Sequence, residues 1–119
     1  MPARDPVPGI SPVELASLLQ TTLDTVVLDI REPYEWTRAY LQHPAVIAVP
    51  LSVLAARGTD ALPEELQDQH RRLVVMCHLG ERSQMVTAWL RAQGWSEALN
   101  LEGGIQAYAL QVDRRVGLY

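Results

Sequence analysis

Four short runs of apolar, largely β-branched residues constrain this chain most. They are Thr25-Val26-Val27-Leu28-Asp29-Ile30, Val46-Ile47-Ala48-Val49, Leu73-Val74-Val75-Met76 and Ala98-Leu99-Asn100-Leu101. Alternating apolar and polar residues mark a strand with one wet face. Runs as continuous as the first three mark strands covered on both faces, as in a parallel sheet. The segments between them read as helices. Ser11-Pro12-Val13-Glu14 is a capping box with proline at the first helical position, followed by Leu15, Leu18 and Leu19. Pro33 opens a short helix containing Glu35 and Trp36. Residues 51–58 form a helix ending at Gly58, and another begins after Pro63. A longer helix runs from about Ser83 to a stop at Gly94, and a last one covers about 105–111. Strands alternating with helices give an α/β fold with a parallel sheet.

At 119 residues the chain has room for one core. That core must be aliphatic, because there is no Phe and only three Trp and four Tyr. Trp36, Trp89 and Trp95 read as core or rim packing. Residues 1–9, with three prolines, read as an extended lead-in, and 10–119 as one domain. All ten basic residues are arginine, so no lysine is available as a Schiff base. The net charge of −4 argues against nucleic acid as a partner. No apolar run is long enough to span a bilayer, so no membrane partner is expected. The first residues lack the apolar core of a signal peptide. A single cysteine fits a reducing compartment, and a cytoplasmic location is expected.

Cys77 stands at the carboxyl end of a buried strand and just before a helix. In open α/β sheets this edge is where ligands bind. A loop there turns successive N–H groups inward, and the positive helix end adds to them. Such a site favours the thiolate, which is the nucleophilic form, and Arg82 reinforces the effect. The alternative for a lone cysteine is an inert core residue; the strand end, Gly80, Arg82 and the helix start weigh against it here. Gly80 permits a tight turn. Ser83 either caps the helix or donates to sulfur. His78 is either a solvent-facing loop residue or a helper in proton transfer.

The segment Cys77-His78-Leu79-Gly80-Glu81-Arg82-Ser83 resembles the active-site loop of the rhodanese-like family, C-x-x-G-x-R-[ST]. Val27-Leu28-Asp29-Ile30-Arg31-Glu32 resembles that family's strand ending in D-x-R. Leu101-Glu102-Gly103-Gly104-Ile105-Gln106-Ala107-Tyr108 is similar to its L-x-G-G-x-x-x-W segment. The three occur in the family's order, from about Ile10 onward. The resemblance implies a five-stranded, mainly parallel sheet with helices on both faces. It implies a sulfurtransferase in which Cys77 takes a sulfane sulfur from a small donor such as thiosulfate. The resulting persulfide passes it to a thiol, cyanide or protein acceptor, with no metal or other cofactor. The loop 78–83 would hold donor and persulfide.

Asp29 and Arg31 admit two readings. They form a surface ion pair at the strand end, or Asp29 lies near the loop and pairs with Arg82 while Arg31 attracts an anionic donor. Glu32 and Glu35 read as solvated helix charges. Gly103 and Gly104 read as backbone packing beside the loop. His43 does not align securely with the family histidine and is given no site role. Tyr108 replaces the usual Trp. Glu81 adds a negative charge to the loop, and basic residues are missing at His78 and Leu79, which weakens the case for thiosulfate. A sulfur-carrier or protein-interaction module is therefore the alternative. Phosphatases and arsenate reductases with this loop place one more residue between Cys and Arg, so they are disfavoured.

Overall fold

The computed structural model describes residues 7–22 and 24–119. Most of the expected lead-in, residues 1–6, lies outside the described residues. The five strands are β1 (Gly9–Ile10), β2 (Val26–Asp29), β3 (Val46–Ala48), β4 (Leu73–Met76) and β5 (Ala98–Leu101). They form one sheet in the order β1-β5-β4-β2-β3, and every pairing is parallel. The helices are α1 (Pro12–Thr21), α2 (Pro33–Trp36), α3 (Leu51–Arg57), α4 (Glu81–Ala92) and α5 (Gly104–Gln111).

The doubly covered strands are explained by two cores. Val26, Leu28 and Ile30 point to one face, where Leu54 of α3 and Val86 and Leu90 of α4 meet them. Val27 and Val74 point to the other, against Leu15 and Leu19 of α1 and Ile105 and Tyr108 of α5. Alternating side chains thus reach a dry layer on either side, which is why the runs show no polar gaps. Full burial of each Leu or Val side chain contributes about 1.5–3 kcal/mol.

The capping box at Ser11 forms as read: Glu14 N–H donates to Ser11 Oγ, and Ser11 N–H donates to Glu14 Oε1. Val13, in the first turn of α1, is 59% exposed. It sits about a third of a turn away from the line set by Pro12, Leu15 and Leu19, which are the buried positions. β3, read as a buried strand, is instead one of the sheet's two edge strands, with Val46 and Ile47 only half-buried and Ala48 exposed. The segment after Pro63 makes a single 3-10 turn, Glu64–Leu66. Leu66 is its buried anchor, and Trp95 Nε1 donates to the Leu66 carbonyl at 2.7 Å.

The register of β2 on β4 sets Asp29 beside Met76. The ends of the two motifs read from the sequence therefore meet at one edge of the sheet.

Candidate active site

Cys77 follows the last residue of β4, and its sulfur has a defined setting. Gly80 N–H donates to Sγ at 3.1 Å and Ser83 N–H at 3.3 Å. The Cys77 thiol donates to Ser83 Oγ at 3.2 Å. Two amides, rather than a whole loop of them, point at the sulfur. Gly80 makes this possible by adopting φ 99°, a left-handed conformation that few other residues adopt without strain. It serves as the N-cap of α4, which begins at Glu81, two residues earlier than expected. Ser83 therefore lies inside the first turn and caps nothing; its hydroxyl faces the sulfur. Cys77 itself is 1% exposed and forms part of the α4-side core.

The loop is locked from the opposite side by α5. Ile105 N–H donates to the Cys77 carbonyl at 2.9 Å and Gln106 N–H to the His78 carbonyl at 3.2 Å. A helix N-terminus has such free donors. They reach the loop because Gly104 lacks a side chain: a Cβ there would lie 2.7 Å from the Cys77 carbonyl oxygen and would collide with that of His78. The packing role beside the loop read for the glycine pair holds for Gly104.

The charged residues pair differently from the expectation. Asp29 does not reach Arg82. It binds Arg31 through two contacts, Nε to Oδ1 at 3.0 Å and Nη2 to Oδ2 at 2.9 Å, with side chains 1% and 0% exposed respectively. Arg31 Nη1 donates to the carbonyls of Glu35 and Ala39 and to the Tyr119 hydroxyl. A guanidinium so enclosed attracts no donor from solution, and the pair is not at the surface. Residues two apart in extended chain share a face, so the Asp29–Arg31 spacing was the available signal.

Arg82 binds Glu35 instead, Nη1 to Oε2 and Nη2 to Oε1, both at 2.8 Å. Glu35 is no solvated helix charge: its side chain is 7% exposed against 31% for Arg82. Hydrogen bonds from Arg82 hold its carboxyl down at about 2, against the opposing effect of burial. The Glu32 amide and the Tyr119 hydroxyl add to the lowering. Arg82 is raised above its ordinary value by the same carboxylate. Glu32 also has a partner, accepting from the Ser52 hydroxyl at 2.6 Å and so joining the starts of α2 and α3.

The remaining loop residues are peripheral to the sulfur. His78 stacks on the Tyr119 ring, with centroids 3.6 Å apart and planes 7° from parallel, and its Nε2 lies 2.7 Å from the Tyr119 main-chain oxygen. It is not a solvent-facing loop residue, because the ring is a half-buried packing element. Leu79 is exposed. Glu81 is exposed in the first turn of α4, where a carboxylate complements the helix dipole. His43 accepts from Ala45 N–H, far in sequence from the loop. Two residues near the site were not singled out from sequence: Tyr119, and Asn100 of β5, whose Oδ1 accepts from Ser83 Oγ at 2.6 Å.

The family model of the rhodanese-like domain matches residues 11–111. The chain belongs to the rhodanese-like family. The match covers every element of the rhodanese-like sheet except β1. Among similar proteins, "Rhodanese-like/PpiC domain-containing protein 12, chloroplastic" of Arabidopsis thaliana is 34% identical over 119 residues. That alignment takes in 98% of this chain but only 38% of the plant protein. A protein named "Sulfurtransferase" from Allochromatium vinosum is 33% identical over 95 residues, 80% of this chain and 81% of its own length. A rhodanese-related protein of known structure from Thermoplasma volcanium superimposes with a TM-score of 0.71 at 25% identity, covering 88% of this chain and 93% of that one. Rhodanese-like architecture, a five-stranded parallel sheet with helices on both faces, is thus established by sequence and by shape.

Among the described residues, no helix is long and apolar enough to cross a membrane. No group of three or more His, Cys, Asp or Glu among them is placed to hold a metal ion.

Proposed function

We propose that this domain transfers sulfane sulfur through a persulfide on Cys77. The observation that carries the reading is the pair of amides, from Gly80 and Ser83, directed at Sγ where β4 meets α4. Donors fixed before reaction stabilise negative charge on sulfur without reorganisation. The same charge appears at each stage: on the thiolate, on the persulfide's outer sulfur, and again on the thiolate after transfer. The relative named as a sulfurtransferase, aligned over most of both chains, supports this reading.

The steps balance as two displacements. Cys77 loses its proton, and the thiolate attacks the outer sulfur of the donor. A new S–S bond forms as the donor's own S–S bond breaks, and the leaving group departs with the electron pair; for thiosulfate that group is sulfite. An acceptor thiolate, or cyanide, then attacks the outer sulfur, and Cys77 leaves as the thiolate. The steps use no metal or organic cofactor.

A second reading, transfer from or to a protein partner with little use of thiosulfate, has one observation in its favour. Both terminal nitrogens of Arg82 are engaged by Glu35, and its loop neighbours Leu79 and Glu81 are exposed without positive charge. A dianion gains little at such a mouth, whereas a thiol or persulfide of low charge loses nothing there.

Mass spectrometry after incubation with thiosulfate, or with a low-molecular-weight persulfide, tests both readings. A gain of about 32 Da on Cys77, absent in Cys77→Ser with its fold intact, is expected for covalent transfer. Gain from the persulfide alone selects the second reading. No gain from either donor refutes transfer from a small sulfane donor.

A further inference from the structure

Ser83 has a single hydroxyl proton and two neighbours that compete for it. Its Oγ lies 3.2 Å from Cys77 Sγ and 2.6 Å from Asn100 Oδ1. Both Ser83 and Asn100 are buried. The shorter contact is the one to the amide oxygen, and the amide cannot readily turn over. Its Nδ2 donates to the Gly80 carbonyl at 3.3 Å, so the reverse orientation would set two carbonyl oxygens against each other.

The hydrogen-bond polarity around the sulfur is therefore fixed. Ser83 donates to Asn100 and accepts from the thiol. When Cys77 ionises, this arrangement leaves a lone pair of Ser83 Oγ facing the thiolate. Turning the hydroxyl to the sulfur instead strips a buried Asn100 oxygen of its donor, which is itself unfavourable. We propose that Asn100 is a positioning residue that holds Ser83's proton away from sulfur and so withholds one hydrogen bond from the Cys77 thiolate. The proposal rests on Cys77 being the nucleophile, and gives Asn100 control over how readily it becomes one.

The charged groups around Cys77 are hydrogen-bonded elsewhere, and Arg82 acts on the sulfur only through space. Arg82 of α4 is tied to Glu35 of α2, Asp29 and Arg31 at the end of β2 are tied to each other, and His78 turns to Tyr119. Glu81 is exposed. None of them bonds the Ser83 hydroxyl.

The test is the ultraviolet absorbance of the thiolate followed against pH, which needs no reagent to reach a buried sulfur. Cys77 is the only cysteine, so Cys77→Ser supplies the blank. Asn100→Leu removes the competing acceptor at similar volume. Its midpoint is expected to move to lower pH by about one unit, the effect of one added hydrogen bond to a charged group. In a Ser83→Ala background the same substitution should move the midpoint little, because no proton remains to redirect. An unchanged or higher midpoint in Asn100→Leu overturns the proposal, as does an equal shift without Ser83.

Ser83→Ala alone provides a second arm if Asn100→Leu does not fold. A hydroxyl held off the sulfur gives the thiolate nothing, so removing it should leave the midpoint unchanged or lower. A rise of about one unit would mean that Ser83 already donates to sulfur, and would sink the idea. Sulfur gain by the wild type decides the transfer reading separately, and either result can fail without the other.

Discussion

Replacing Glu35 by Gln isolates the charge that holds Arg82 in place. Four donors converge on the Glu35 carboxylate: two from Arg82 at 2.8 Å, the Glu32 amide at 2.9 Å and the Tyr119 hydroxyl at 3.0 Å. Hydrogen bonds from Arg82 are the main cause of a carboxyl held near 2, where 4.5 is usual. That difference corresponds to about 3 kcal/mol favouring the folded, ionised form. Arg82 is 31% exposed, so water screens part of the interaction and about 2 kcal/mol is a fairer figure at neutral pH. The folded carboxyl titrates below the unfolded one. Its contribution is therefore complete above the unfolded value and is lost as pH falls through the folded one. Urea denaturation of wild type and Glu35→Gln should differ by about 2 kcal/mol at pH 7. The gap should shrink below about pH 4.5, fall to under half near pH 3 and close below pH 2. Arg82 stays charged throughout and Gln does not titrate, so no other partner of the pair masks the trend. A gap that stays constant with pH would show that Glu35 stabilises by packing alone; no gap at pH 7 would refute the pairing's energetic role.

Two further substitutions probe the frame of the site. Asp29→Asn leaves the Arg31 guanidinium buried without its counter-charge, and a loss of about 3–5 kcal/mol is expected in a guanidinium chloride melt; a loss below about 1 kcal/mol would mean that the carbonyls of Glu35 and Ala39 suffice. Gly104→Ala puts a methyl against the Cys77 and His78 carbonyls at φ 65°, so α5 must move off the loop. Destabilisation of about 3 kcal/mol with slower sulfur gain at Cys77 is expected by thermal melting and mass spectrometry, and an unchanged rate would show that the loop holds its shape without α5.

The sheet and the loop around Cys77 were legible in the sequence because each rests on local pattern. Apolar runs covered on both faces need no partner to be named, and a cysteine between a strand and a glycine announces its loop. Pairings among charges were not legible to the same degree. Asp29, Arg31, Glu35 and Arg82 all arrive at one edge of the sheet, and chain order alone does not say which carboxylate meets which guanidinium. Physical signals existed for some of them. The two-residue spacing of Asp29 and Arg31 places both on one side of an extended strand. Glu35 stands three residues after Glu32 at a proline-led helix start, where its carboxylate can accept the Glu32 amide and so is held at the helix end. Asn100 is a polar residue in a strand covered on both faces, and such a residue must find partners. Only Tyr119 had no local signal, since its contacts with Glu35, Arg31 and His78 depend on where the last 3-10 turn, Arg114–Val116, delivers the chain.

These pairings change what the motif's arginine can do. Read alone, Arg82 is a free cation beside a thiol, suited to drawing an anionic donor inward. Bound at two points to Glu35, it is half of a neutral pair whose geometry is set by α2 and Tyr119. The nearest donors to the sulfur are main-chain amides, which carry no net charge and discriminate little between a dianionic and a monoanionic donor. Selectivity at this site then falls to shape and to the exposed side chains of Leu79 and Glu81. Removing the Glu35 carboxylate should therefore do more than destabilise the domain. It frees a guanidinium at the mouth, and dianionic thiosulfate should gain on a less charged persulfide donor as the source of sulfur.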